Sequence, residues 1–168
     1  MIRGGPERDD SMHWPFQYCP RCGEDLSGEK PSSRMECPRC LERYYRPISV
    51  GVAVVLIEQE RILLGKRRDG GWCIPCGYLE WGEEIALAAR REFREETGLE
   101  VEITGVRQVQ SNFHRVDQMS VGVWFNGRRT GGEIKAGDDL VEVRFFGKRE
   151  LPELIFATDE EVVRSWRG

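Results

Sequence analysis

Between Pro47 and Ile57 the chain reads PISVGVAVVLI, a run with almost no polar position and the length of a strand buried on both faces. RILLGKR (Arg61–Arg67) follows a short polar turn, so the two runs are predicted to pair as a hairpin. GWCIP predicts a third, short strand, stopped at Pro75 because proline has no N–H for a ladder. The period then changes. From Glu83 to Gly98, EEIALAARREFREETG spaces Ile85, Ala89 and Phe93 four apart, one apolar stripe of a helix. Gly98 falls where left-handed backbone would end that helix. VEITGVRQVQ and MSVGVWF return to strand, LVEVRFF (Leu140–Phe146) alternates, and TDEEVVRSW opens on Thr158-x-x-Glu161, a capping box that predicts a last helix. Strands interleaved with two helices predict an α+β domain, both helices packed on a mixed sheet.

Composition changes near Arg46–Pro47. Residues 1–46 hold four of the six cysteines and few aliphatics, too little apolar surface for so short a segment to fold unaided. Two parts are therefore expected, a tail with a small cysteine module over 1–46 and a packed domain over 47–168. The 39% hydrophobic and 32% charged content fits a globular chain with a real core. No apolar run reaches the ~20 residues of a membrane helix, so no membrane partner is expected. The opening MIRGGPERDD lacks an apolar core, so no secretory leader is expected either. Together with six cysteines, this points to a reducing, cytoplasmic setting in which thiols serve metals or chemistry. A net charge of −4, with acids and bases interleaved, argues against a generic nucleic-acid binder.

Cys19-x2-Cys22 and Cys37-x2-Cys40 are two CPRC turns with fourteen residues between them. Each offers two sulfurs, and four complete the tetrahedral shell of a structural Zn²⁺. Binding worth ~10–16 kcal/mol would order a ribbon that has no core of its own. The alternatives are four independent thiols or two disulfides. Arg21, Lys30, Arg34, Arg39 and Arg43 are offset by Glu24, Asp25, Glu29, Glu36 and Glu42, which favours a structural attachment, packed on the main domain or a second subunit, over a nucleic-acid contact.

On REFREETG, Glu92, Glu95 and Glu96 share an arc of roughly 100° of one helix face. Like charges at these spacings destabilise a helix by roughly 0.2–0.5 kcal/mol per pair. A solvated face relieved by Arg91 and Arg94 is one explanation; a cluster holding divalent cations, which prefer oxygen ligands, is the other. The arc adjoins the apolar stripe, and that placement favours a site. A phosphoanhydride is anionic, so carboxylates would need cations between themselves and it, to screen charge and polarise a phosphoryl oxygen.

GYLEWGEEIALAARREFREETGL resembles the Nudix box, G-x5-E-x7-R-E-U-x-E-E-x-G-U with U a bulky apolar residue. Gly77, Glu83, Arg91, Glu92, Phe93, Glu95, Glu96, Gly98 and Leu99 fill every specified position. The resemblance implies the Nudix fold, an α/β/α sandwich with a mixed sheet between helices, and hydrolysis of a nucleoside diphosphate linked to another moiety. It implies that Glu92, Glu95, Glu96 and the carbonyl of Gly77 ligate Mg²⁺ or Mn²⁺. Arg91 would orient the carboxylates, Glu83 would support them or join the outer shell of the metal, and the general base would come from Glu96, Glu92 or Glu142.

A zinc ribbon ahead of such a domain resembles the subgroup with NADH, FAD and ADP-ribose pyrophosphatases. The NADH enzymes carry an S-Q-P-W-P-F-P-like run after the box, which QVQSNFHRVDQMS lacks, whereas GYLEWGE and LPELIFATDEE resemble the FAD and ADP-ribose members. The expected reaction is release of AMP from ADP-ribose or FAD. The other readings are an NADH pyrophosphatase, a house-cleaning nucleoside triphosphate pyrophosphatase, and a zinc-ribbon regulator that binds nucleic acid and senses a ligand through a Nudix domain. Tyr78, Phe113 and Trp124 are candidates to stack a base, and Arg67, Arg68, Arg107 and Arg115 to meet phosphates. Many relatives are dimers, so a homodimer is compatible with the sequence. The third pair, Cys73 and Cys76 in CIPC, reads as small packing residues. In one extended strand their Cα atoms would be about 10 Å apart, beyond the roughly 7 Å reach of a disulfide.

Overall fold

A computed structural model describes residues 16–28, 34–115 and 118–167. It forms two compact units, Met1–Ile48 with Arg115–Gln118, and Ser49–His114 with Met119–Gly168. In the smaller, β1 (Arg34–Glu36) and β2 (Arg43–Tyr45) form an antiparallel hairpin. The two cysteine turns are congruent. Cys19 N–H donates to Glu24 and Cys37 N–H to Glu42, while Gly23 and Leu41 donate back to Cys19 and Cys37. The residue after each second cysteine is left-handed, Gly23 at φ 75° and Leu41 at φ 60°, so one turn uses the residue suited to that geometry and the other forces a leucine into it. Cys19, Leu26, Met35 and Cys37 are the whole buried cluster of this unit among the described residues.

The larger unit contains β3 (Ser49–Glu58), β4 (Arg61–Arg67), β5 (Trp72–Cys73), β6 (Cys76–Tyr78), α1 (Ile85–Thr97), β7 (Leu99–Arg115), β8 (Gln118–Gly132), β9 (Leu140–Gly147) and α2 (Ala157–Arg167). The sheet is mixed. β3 runs parallel to β8 from Ser49↔Ser120 to Leu56↔Gly127 and antiparallel to β6 across Gly51–Ala53. The expected β3–β4 hairpin is only two pairs long, Ile57↔Ile62 and Glu58↔Arg61, closed by Gln59 and Glu60 at positive φ. Beyond it β6 takes the edge of β3, and β4 pairs instead with β9 along its length.

Alternation along β3 separates two cores. Val52, Val54 and Leu56 pack with Ala88, Ala89 and Phe93 of α1. Ala53 and Val55 pack with Trp124 of β8 and with Val162 and Val163 of α2. Both faces of the strand are covered, which is why its sequence has no polar alternation. The result is the expected α/β/α sandwich. α1 begins two residues later than the sequence indicated, because Glu84 stays extended (ψ 136°) and its side chain caps Ala86 and Leu87 N–H. It ends as expected at Gly98, φ 71°. The capping box at Thr158 does not form. Phe156 C=O already accepts from Asp159 and Glu160, the helix starts at Ala157, and Thr158 Oγ1 is buried without a hydrogen bond. Among the described residues no helix is long and apolar enough to cross a membrane.

Candidate active site

The β6–α1 connection and the exposed edge of α1 are organised around one guanidinium. Arg91 Nε and Nη2 donate to the two oxygens of Glu83 at 2.9 and 2.8 Å, a bidentate fork. Nη1 donates to Glu92 Oε1 at 2.8 Å and to Glu95 Oε2 at 3.4 Å, and Nη2 also reaches Tyr78 C=O at 3.2 Å. The Glu83 and Glu92 carboxylates raise the Arg91 pKa, and the Arg91 hydrogen bond lowers that of Glu83. The loop is tied to the same group, since Glu80 N–H donates to Glu83 Oε2.

The three α1 glutamates differ sharply in environment. Glu95 is 45% exposed, Glu92 is 14%, and Glu96 is 2%. Glu96 Oε2 accepts the Cys76 N–H at 2.7 Å. Burial outweighs that hydrogen bond, and with the nearby Glu92 charge it lifts the Glu96 pKa to about 8. Gly77 lies against Glu92 so closely that a Cβ there would sit 2.0 Å from Glu92 Cδ. A side chain there would have to displace that carboxylate.

The four N-terminal cysteines converge. Cys19 and Cys40 sulfurs are 3.7 Å apart, Cys22 and Cys37 are 3.6 Å apart, and all four lie within 4.8 Å of one another. A tetrahedron around Zn²⁺ at ~2.3 Å has edges of about 3.8 Å. That match, with every cysteine free, is compatible with zinc and sets aside the two-disulfide alternative. Tyr44 hydroxyl lies 3.1 Å from Cys19 Sγ. Burial opposes thiolate formation at Cys19, but this bond and backbone N–H groups prevail and bring its pKa to about 6.

The other candidates separate. Arg67 is three-quarters buried between Asp69 and Asp139, and its charge acts on Glu96. Arg68 donates to Asp138 C=O, and Arg107 is engaged by Asn126 and Ser165. Tyr78 is exposed, but Trp124 is a core residue and is withdrawn as a base-stacking candidate. Glu142 sits on β9 opposite Lys66, and among the described residues its carboxylate partner is Arg144 at 3.7 Å. The side chains of Phe113 and Arg115 lie outside the described residues. CIPC is not one extended strand: β5 ends at Cys73 and β6 begins at Cys76, so the 10 Å separation does not apply. A hydrogen bond with Cys73, then burial, raises the Cys76 thiol well above its ordinary pKa, which leaves little thiolate for redox or metal chemistry.

Two residues escaped the sequence reading. Trp81 is fully exposed in the loop tied to Glu83, signalled only by a lone aromatic beside Gly82. Asp159 is buried, and TDEE disguised it as part of a surface cap.

The family model of the NUDIX domain matches residues 46–166. The chain is 33% identical over 149 residues to an ADP-ribose pyrophosphatase of Methanocaldococcus jannaschii, covering 84% of this chain and 88% of that protein. It is 28% identical over 139 residues to the NAD-capped RNA hydrolase NudC of Escherichia coli, covering 81% of this chain but 53% of the relative, so it spans about half of that protein's length. A crystal structure of a NUDIX hydrolase from Nitrosomonas europaea aligns at a TM-score of 0.74 and 26% identity, with 90% of each chain covered.

Proposed function

We infer the reaction from one premise: this chain belongs to the Nudix hydrolase family, whose domain spans residues 46–166. We propose hydrolysis of the phosphoanhydride in a nucleoside diphosphate linked to another moiety, ADP-ribose or FAD, with release of AMP. The observation that carries the reading is the helix edge on which Glu92 and Glu95 share the Arg91 guanidinium, Glu92 lies against Gly77, and buried Glu96, one turn on from Glu92, accepts the Cys76 N–H. These donors are all oxygens, suited to Mg²⁺ or Mn²⁺, and the missing side chain at Gly77 lets the Glu92 carboxylate lie against the backbone there. A bound cation there would polarise a phosphoryl oxygen and lower the pKa of a water.

In this reading Arg91 holds Glu92 and Glu95 in place, and Glu83 fixes the guanidinium. Glu96, whose pKa burial lifts to about 8, exchanges a proton at its carboxylate. Arg67 is the cation that faces Glu96 from the sheet. Exposed Tyr78 offers a ring to a base. The four cysteines hold one Zn²⁺, which ties the two cysteine turns of the small ribbon together ahead of the 47–168 domain. The free cysteines fit a reducing compartment, the cytoplasm.

The substrate choice draws on the 33% identical relative named an ADP-ribose pyrophosphatase. A second reading, an NAD-type dinucleotide, is favoured by the relative named an NAD-capped RNA hydrolase. Product chromatography over ADP-ribose, FAD, NADH and nucleoside triphosphates, each with Mg²⁺ or Mn²⁺, separates them. AMP from ADP-ribose or FAD supports the first reading, AMP from NADH alone the second. Pyrophosphate from triphosphates overturns both.

A further inference from the structure

Asp159 plays no part in the proposed reaction, yet it is 3% exposed in the first turn of α2, on the sheet face opposite α1. An acidic residue in a first helical turn is favoured at the surface, where it meets the helix dipole without desolvation. Burial has a cost, and here it raises the carboxyl pKa to about 6. Both oxygens are used. Oδ2 accepts the Ile74 N–H at 2.9 Å and Oδ1 the Trp124 indole N–H at 2.9 Å.

Ile74 begins the four-residue passage from β5 into β6. At its far end, Cys76 N–H donates to Glu96 Oε2 at 2.7 Å and Gly77 abuts Glu92. Between them Pro75 has its φ fixed by its ring, and its carbonyl accepts Val54 N–H at 3.3 Å. One short, stiff segment is thus held from the α2 side by Asp159 and itself bonds one carboxylate of α1, Glu96, and lies against another, Glu92. A shift at Ile74 has little slack in which to dissipate before it reaches Cys76 and Gly77.

We propose that Asp159 is a positioning residue for the cation site: from the opposite face of the sheet it fixes Ile74, and through Ile74–Gly77 sets the backbone against which Glu92 and Glu96 are aligned. The proposal rests on the reading of those glutamates as cation ligands.

Asp159→Asn keeps the shape but has one acceptor for two N–H donors, so its amide must face one of them. Trp124→Phe removes the second donor, and in the double variant the remaining carbonyl can accept from Ile74. The readout is Mn²⁺ affinity, by electron paramagnetic resonance or calorimetry, well below each variant's unfolding temperature. Asp159→Asn is expected to weaken Mn²⁺ binding about tenfold, the low end for an outer-shell partner. Trp124→Phe should stay near wild type, and the double variant should recover most of the loss. A purely structural aspartate would change the unfolding temperature and not this pattern. If Asp159→Asn cannot be purified folded, Asp159→Asn/Trp124→Phe against Asp159→Ala/Trp124→Phe makes the same comparison, since only the first keeps an acceptor for Ile74. Unchanged affinity in Asp159→Asn, or no recovery in the double variant, overturns the proposal alone. No Mn²⁺ binding by the wild type sinks the glutamate reading and the proposal together.

Discussion

Glu96→Gln replaces a titratable carboxyl in the core of the larger unit with a neutral amide whose carbonyl oxygen can still accept the Cys76 N–H. In the folded protein burial, aided by the Glu92 charge, lifts the Glu96 pKa from an ordinary 4.5 to about 8. The native state therefore binds more protons than the unfolded chain between those values, and stability falls as pH rises through that window. The slope is at most ~1.4 kcal/mol per pH unit for one proton. Glutamine does not titrate. Its advantage over glutamate should be under ~1 kcal/mol near pH 5, roughly 3 kcal/mol at pH 7 and approach ~5 kcal/mol above pH 8, with water penetration trimming each figure. Urea unfolding of zinc-loaded protein without Mg²⁺ or Mn²⁺ measures this directly, provided the m-value is unchanged. Turnover with Mg²⁺ should meanwhile drop on the order of 100-fold, because a positioned cation is worth several kcal/mol. A stability difference that is flat with pH, or that favours glutamate at neutral pH, would show that Glu96 is not held as a desolvated carboxyl.

Gly77→Ala should place a methyl against the Glu92 carboxylate; expected are a stability loss of about 1–3 kcal/mol and a far larger fall in kcat, read from thermal melts and steady-state rates. Zinc analysis should find about one ion per chain, as four thiolates imply. Its chelation should erase amide NMR signals of residues 16–28 and 34–48 while those of 49–114 and 119–167 persist. Calorimetry in buffers of different ionisation enthalpy should detect up to about one proton released when Mn²⁺ binds at neutral pH, and none in Glu96→Gln.

Helix α1 was legible because one segment carries two patterns at once. Ile85, Ala89 and Phe93 give it a buried stripe, and Glu92, Glu95 and Glu96 load the adjoining edge with like charge that a solvated surface does not need. What periodicity could not supply was depth: Glu95 and Glu96 are neighbours in sequence, yet one is 45% exposed and the other 2%. Strand existence was legible and strand pairing was not. β3 is read easily from its apolar run, but β6, three residues long, displaces β4 from its edge, and nothing in CGY announces that. The four N-terminal cysteines were legible from spacing alone, since two CPRC turns leave few other geometries. Asp159 was hidden for the opposite reason. Its local pattern satisfies a surface motif, and its partners, Ile74 and Trp124, are 85 and 35 residues away.

An anomalous difference map from a crystal soaked in Mn²⁺ speaks to the carboxylate edge most directly. A peak within coordinating distance of Glu92, Glu96 and the Gly77 carbonyl is the predicted result. A fully soaked crystal with no density beside those three groups, from protein that still cleaves ADP-ribose, would contradict the placement of catalysis on α1.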